Sequence, residues 1–120
     1  MQFFPSKTLL AVVLIGVAAT AAQAAGPGEK PFLAENATAM AKMMDGMAPK
    51  PSGDVDQDFV AMMVPHHQGA IDMAQAELRH GHNEQLRRIA QEIIVEQQQE
   101  IAAMRLALGQ PLPPSAATPD

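Results

Sequence analysis

The 120 residues contain no cysteine, no tryptophan and no tyrosine. Without cysteine there is no disulfide, no lipid attachment at a signal-peptide cysteine and no thiolate metal site. Four phenylalanines are the whole aromatic complement, and two of them fall in the first four residues. Leucine, isoleucine and methionine must therefore fill any interior. Basic residues are also few: eight lysines and arginines face thirteen acids, for a net charge of −5. Scattered and outnumbered, they give no electrostatic footprint for nucleic acid or an anionic membrane surface. No internal repeat and no glycine-rich phosphate loop is present.

What the chain does have begins with an export signature. Lys7 supplies a basic start, Leu9 to Ala19 an apolar run, and Ala22-Gln23-Ala24 a small-x-small cleavage site, so residues 1–24 read as a signal peptide. The apolar run is too short and too weakly flanked for a membrane span. Cleavage after Ala24 leaves 96 residues, and loss of Lys7 takes the net charge from −5 to −6. This is one small domain, expected in the periplasm or medium with no membrane association after cleavage. Its expected layout is a linker at 25–31, a helical domain at 32–109 and a disordered tail at 110–120, rich in proline, serine and alanine.

Periodicity predicts three helices. The first, from about Phe32 to Met47, carries Met40, Met43, Met44 and Met47 at i, i+3, i+4, i+7 spacing. Leucine, isoleucine and valine are absent from that stripe, so metal capture and flexible packing both remain open for it. Pro49, Pro51 and Gly53 end it. The second helix runs from about Asp56 to His80, capped by Asp54, Asp56 or Asp58. Pro65 lies inside it, which removes a backbone donor and predicts a kink. Gly69 would admit a close neighbour. Gly81 fits a left-handed helix end and Asn83 an N-cap. The third helix extends from about Glu84 to Leu108, with an inward stripe of Leu86, Ala90, Ile93, Ile94, Gln97, Ile101, Met104 and Leu108.

The chemistry concentrates in Met62-Met63-Val64-Pro65-His66-His67-Gln68-Gly69-Ala70-Ile71-Asp72-Met73-Ala74. With a helical step of about 100° per residue, Phe59, Met62, Met63, Ala70, Met73, Glu77 and His80 fall within roughly 60° of His66. One face thus carries thioether, imidazole and carboxylate. Thioether with imidazole suits copper, Cu(I) above Cu(II), whereas calcium and magnesium want oxygen. A turn centred near residues 81–82 sets His66 against Gln97, Met62 and Met63 against Ile101 and Glu100, and Phe59 against Met104. His66 is accordingly expected to point inward, with His67 beside that face. Gln97 is expected to orient the imidazole, with Glu100 at the edge of the same stripe.

Asp58-Phe59, the Met62 to Ala74 stretch, Ile93-Ile94, Gln97, Glu100-Ile101 and Met104 resemble a known family, the small exported domains catalogued as domain of unknown function 305. Several of its members are described as periplasmic copper-binding proteins or metallochaperones. The resemblance covers helices two and three. It implies a ferritin-like antiparallel helical bundle and copper handling outside the cytoplasm, with Met62, Met63, His66, His67, Met73 and Met104 as metal-site candidates. The expected function is a copper buffer or carrier without catalysis, with a copper transporter or acceptor protein as its partner and a homo-oligomer left open. Two competitors stand beside it. Glu77-Leu78-Arg79-His80 is the Glu-x-x-His element of di-iron oxidases, which need two such elements where this chain has one. A Met-rich face could also serve only to bind a partner protein.

Overall fold

The computed structural model describes residues 26–112. Among them the protein is all α, an antiparallel bundle of α1 (Glu29–Gly46), α2 (Val55–His80) and α3 (Glu84–Ala107). The expected signal peptide and most of the expected tail lie outside the described residues. No described helix is long and apolar enough to cross a membrane.

The helix starts follow from local chemistry. α1 begins three residues before the expected Phe32, because Pro31 falls in its first turn, where no intrahelical N–H is needed. Its cap, Gly28, offers no side chain; the Glu29 carboxylate instead reaches back to accept from the Gly26 amide at 3.1 Å. Of the three candidate caps for α2, Asp54 is the one used, accepting from the Gln57 amide at 2.9 Å. Asp58 instead accepts from the Ser52 amide and ties the preceding loop down. Asn83 caps α3 as expected, through the Leu86 amide at 3.0 Å. Each such cap contributes about 1 kcal/mol.

The helix ends differ from one another. Gly109 is left-handed, with φ +69, and the Gly109 and Gln110 amides donate to the Leu106 and Arg105 carbonyls. That is a Schellman closure of α3. Gly81 is not left-handed: its backbone is extended, with φ −77 and ψ 155. What excludes a side chain there is space, since a Cβ would lie 2.7 Å from the Glu77 backbone carbonyl oxygen. Arg87 completes the turn by donating to the Leu78 and Gly81 carbonyls at 2.5 and 3.2 Å.

α2 is the central element. α1 packs along one side of it and α3 along another, while α1 and α3 have no Cα pair within 8 Å of each other. The α1–α2 seam is made close by small residues. A Cβ on Gly46 would lie 2.5 Å from the Pro65 Cβ, and one on Gly69 would lie 2.9 Å from the Met43 sulfur. α2 passes through Pro65 as one helix, its ring covered by the end of α1. The buried apolar residues are Ala39, Val60, Ile71, Ala74, Ala76, Ala90 and Ile101. Only Ile71 is both large and fully buried, so the interior of the described chain is thin.

Candidate metal centre

The residues of α2 that meet α1 (Pro65, Gly69, Arg79) project roughly opposite those that meet α3 (His67, Ala74). The three helices therefore form a layer with two open faces. The helical step places Phe59, Met62, His66 and Met73 on one of them. Met40, Met43, Met44 and Met47 flank that row on α1, and Leu86, Ile89 and Ile93 flank it on α3. Met40, Met44, Phe59 and Met62 are exposed by 42, 61, 53 and 41%. The opposite face carries Thr38, Lys42, Asp72, Gln75 and Arg79 toward one end and Lys50, Ser52, Gln57, Asp58 and Arg105 toward the other.

The two adjacent histidines are divided between these environments, in the reverse of the expected order. His66 is exposed on the methionine face, whereas His67 is buried in the α2–α3 seam, 6% exposed. Their ring centroids stand 6.0 Å apart. The reversal arises because the sulfur-rich side of α2 is an open face and the interior lies to its flank. Glu100, not Gln97, meets a histidine, and that histidine is His67. Gln97 is half-buried, with no side-chain hydrogen bond to either imidazole.

The His67–Glu100 pair fixes the chemistry of the ring. A carboxylate only accepts, so Nε2 of His67 carries the hydrogen and donates it to Glu100 Oε2. In the neutral ring Nδ1 then keeps its lone pair, and this nitrogen is buried with no hydrogen-bond partner. An acceptor left in that state costs on the order of 1–3 kcal/mol. Carboxylate, histidine and a free ring nitrogen in series is the arrangement that orients metal-bound imidazoles. Met63 lies one turn before His67 on α2, and Met104 lies one turn beyond Glu100 on α3; both are half-buried. The seam thus has the donor types a soft cation takes.

Among the described residues no three histidine, aspartate or glutamate side chains converge on a common point. A centre built here must draw on methionine sulfur. The Glu-x-x-His element is engaged elsewhere: His80 Nε2 donates to Glu35 Oε1 at 2.8 Å, and Glu77 lies against Gly81. Arg79 adds two hydrogen bonds to the same Glu35 carboxylate, through Nε at 2.8 Å and Nη2 at 2.5 Å. The Arg79 hydrogen bonds, then that from His80, hold Glu35 below the usual carboxylate range.

Two features escaped sequence reasoning. One is the Glu35 clasp, which no local spacing announces because its partners lie more than forty residues away. The other is Asn36, whose Oδ1 is buried without a partner one turn before Met40. The burial of His67 did carry a signal: Val60, Met63, Val64, Ile71 and Ala74 follow its stripe at helical spacing.

No curated protein matches the sequence. The family model described as Domain of unknown function (DUF305) matches residues 16–108, a span that includes all three helices. The chain belongs to the domain of unknown function 305 family.

Proposed function

We propose that this chain is an exported copper-binding protein that buffers or carries copper in the periplasm, with no catalysis of its own. One observation carries the reading: the unpartnered Nδ1 of buried His67, whose Nε2 is engaged by Glu100, with Met63 one turn before it on α2 and Met104 one turn beyond Glu100 on α3. Thioether and neutral imidazole favour Cu(I), and a methionine-based set in an exported chain is not lost to disulfide formation as cysteine would be. On the open face His66, Met62, Met73 and the α1 methionines offer further donors of the same kind, so more than one ion per chain fits the donor supply. Such ligands exchange more readily than a closed thiolate cage, as carriage to a transporter or acceptor requires.

Native mass spectrometry of the processed chain with Cu(I), Cu(II), Zn(II) and Fe(II) tests this directly. Retention of Cu(I) in preference to the other ions is expected. Indifference to copper would leave the Met face to the competing reading, a partner-binding helical module.

A further inference from the structure

We infer that a second copy of this chain covers the sulfur-rich face, so that the protein is a homodimer of two three-helix layers. This does not rest on copper. It begins from the architecture: α1 and α3 flank α2 without touching, which leaves one layer, whereas a stable domain is built from at least two packed layers around a shared core. Ile71 is the only large side chain fully buried within the described residues. The core that a second layer would complete is therefore missing from the single chain.

Size argues for an occupant as large as the layer itself. Helices of 18, 26 and 24 residues are about 27, 39 and 36 Å long at a rise of about 1.5 Å per residue. With axes about 8–10 Å apart, the face is roughly 26–30 Å wide. Its flat area is then roughly 800–1,000 Å², against about 800 Å² per partner in a stable interface. A short peptide or a single helix would leave much of it bare. A second copy matches it in area and in apolar character.

Composition points the same way. The middle of the face is methionine with Phe59 and the amphipathic His66, and charge enters through Glu77 toward one end and Glu100 on the α3 side. Methionine and aromatic enrichment with depletion of charge is the mark of an interface core. The groove between α2 and α3, lined by Ala70, Met73, Leu86, Ile89 and Ile93, gives a recess into which side chains of a facing layer can seat. Because both partners offer the same patch, the arrangement is two-fold and closed, and it cannot run on into a filament.

The mass of the processed chain, freed of metal with a chelator, is measured by light scattering and sedimentation velocity at tens of micromolar. A dimer is expected; a monomer with intact helicity overturns the proposal. Phe59→Glu with Leu86→Glu should weaken association at least about 100-fold at unchanged helicity, while Gln75→Glu on the polar face should leave it unaltered. Wild-type association by the double variant overturns the assignment of the face. In case the charged variant fails to fold, single cysteines give a second readout in this cysteine-free chain. His66→Cys should form an intermolecular disulfide on air oxidation and Gln75→Cys should not; the reverse pattern overturns the proposal. All of these are read without copper, so they stand or fall apart from the metal-binding reading.

Discussion

The two faces of the helical layer are drawn from the same three helices yet have opposite chemistry. On one, α1 shows Met40, Met43, Met44 and Met47, α2 shows Phe59, Met62, His66 and Met73, and α3 shows Leu86, Ile89 and Ile93. On the other stand Thr38, Lys42, Gln57, Asp72, Gln75, Arg79 and Arg105. Water satisfies the polar face. The sulfur face gains nothing from water, and its exposed thioethers and phenyl ring call for a soft ion or an apolar partner. The two seams that hold the layer together are narrow, and most of their buried residues are alanine and glycine.

The largest effect is expected where a seam is deepest. Ile71→Ala should cost about 3 kcal/mol, because it opens a cavity in the most buried part of a thin core. Gln57→Ala, exposed on the polar face, should change stability by less than about 0.5 kcal/mol. Urea unfolding of both variants measures the contrast. Equal costs would mean that the interior lies elsewhere than in the seams.

Next in size is the orienting role of Glu100. Glu100→Gln keeps the shape but removes the charge that holds the His67 tautomer, and copper affinity should fall 10–100-fold, the range found for residues that orient a ligand. Gln97→Leu, one turn away, should alter affinity less. A competition titration against a Cu(I) chelator reads both. Should the two changes act alike, His67 is a packing residue.

A smaller shift per residue is expected across α1. Replacing Met40, Met43, Met44 and Met47 together by leucine roughly keeps volume and helix propensity while removing sulfur. Copper bound per chain should fall, with circular dichroism unchanged. Lys42→Ala and Asp72→Ala on the polar face should leave copper uptake as it was. Unaltered uptake in the leucine variant would make the α1 methionines apolar filler.

Element identity was legible because it is local. Three helices, the Asp54 and Asn83 caps and the Gly109 stop each follow from a few neighbouring residues. Of the candidates on α2 and α3, His67 and Glu100 do meet across one seam. What the pattern could not give was which stripe of α2 is interior. Methionine weighs heavily in any apolar periodicity, so the Met–His66 side reads as the core. Packing is decided instead by the small residues Gly46, Gly69, Ala74 and Ala76, which let neighbouring helices approach α2 along its flanks. On that flank His67 finds Glu100, a pairing the Met–His66 stripe does not reveal. Gly81 teaches a related point, since a glycine at a helix end can mark crowding by Glu77 as well as a left-handed backbone.

The smallest expected effect lies at one end of the α1–α2 seam, where Glu35 accepts from Arg79 and His80 and so clasps α1 to the end of α2. Its carboxyl is held below the usual range, first by the Arg79 hydrogen bonds and then by His80. A depressed folded-state value means that the clasp stabilises the protein fully above the unfolded carboxylate value of about 4.3. That stabilisation is lost as pH falls through the lower, folded value. The Glu35 side chain is about a third exposed, at 34%, so solvent screening keeps the effect modest. Glu35→Gln should therefore melt slightly below wild type near neutral pH, and the gap should close progressively below about pH 4.3. Thermal melts of both proteins from pH 6 down to pH 2 measure it. A gap that stays constant through the acid range would mean that α1 is held to α2 by the Gly46–Pro65 and Gly69–Met43 contacts alone, and that the charged end of the seam plays no part in its closure.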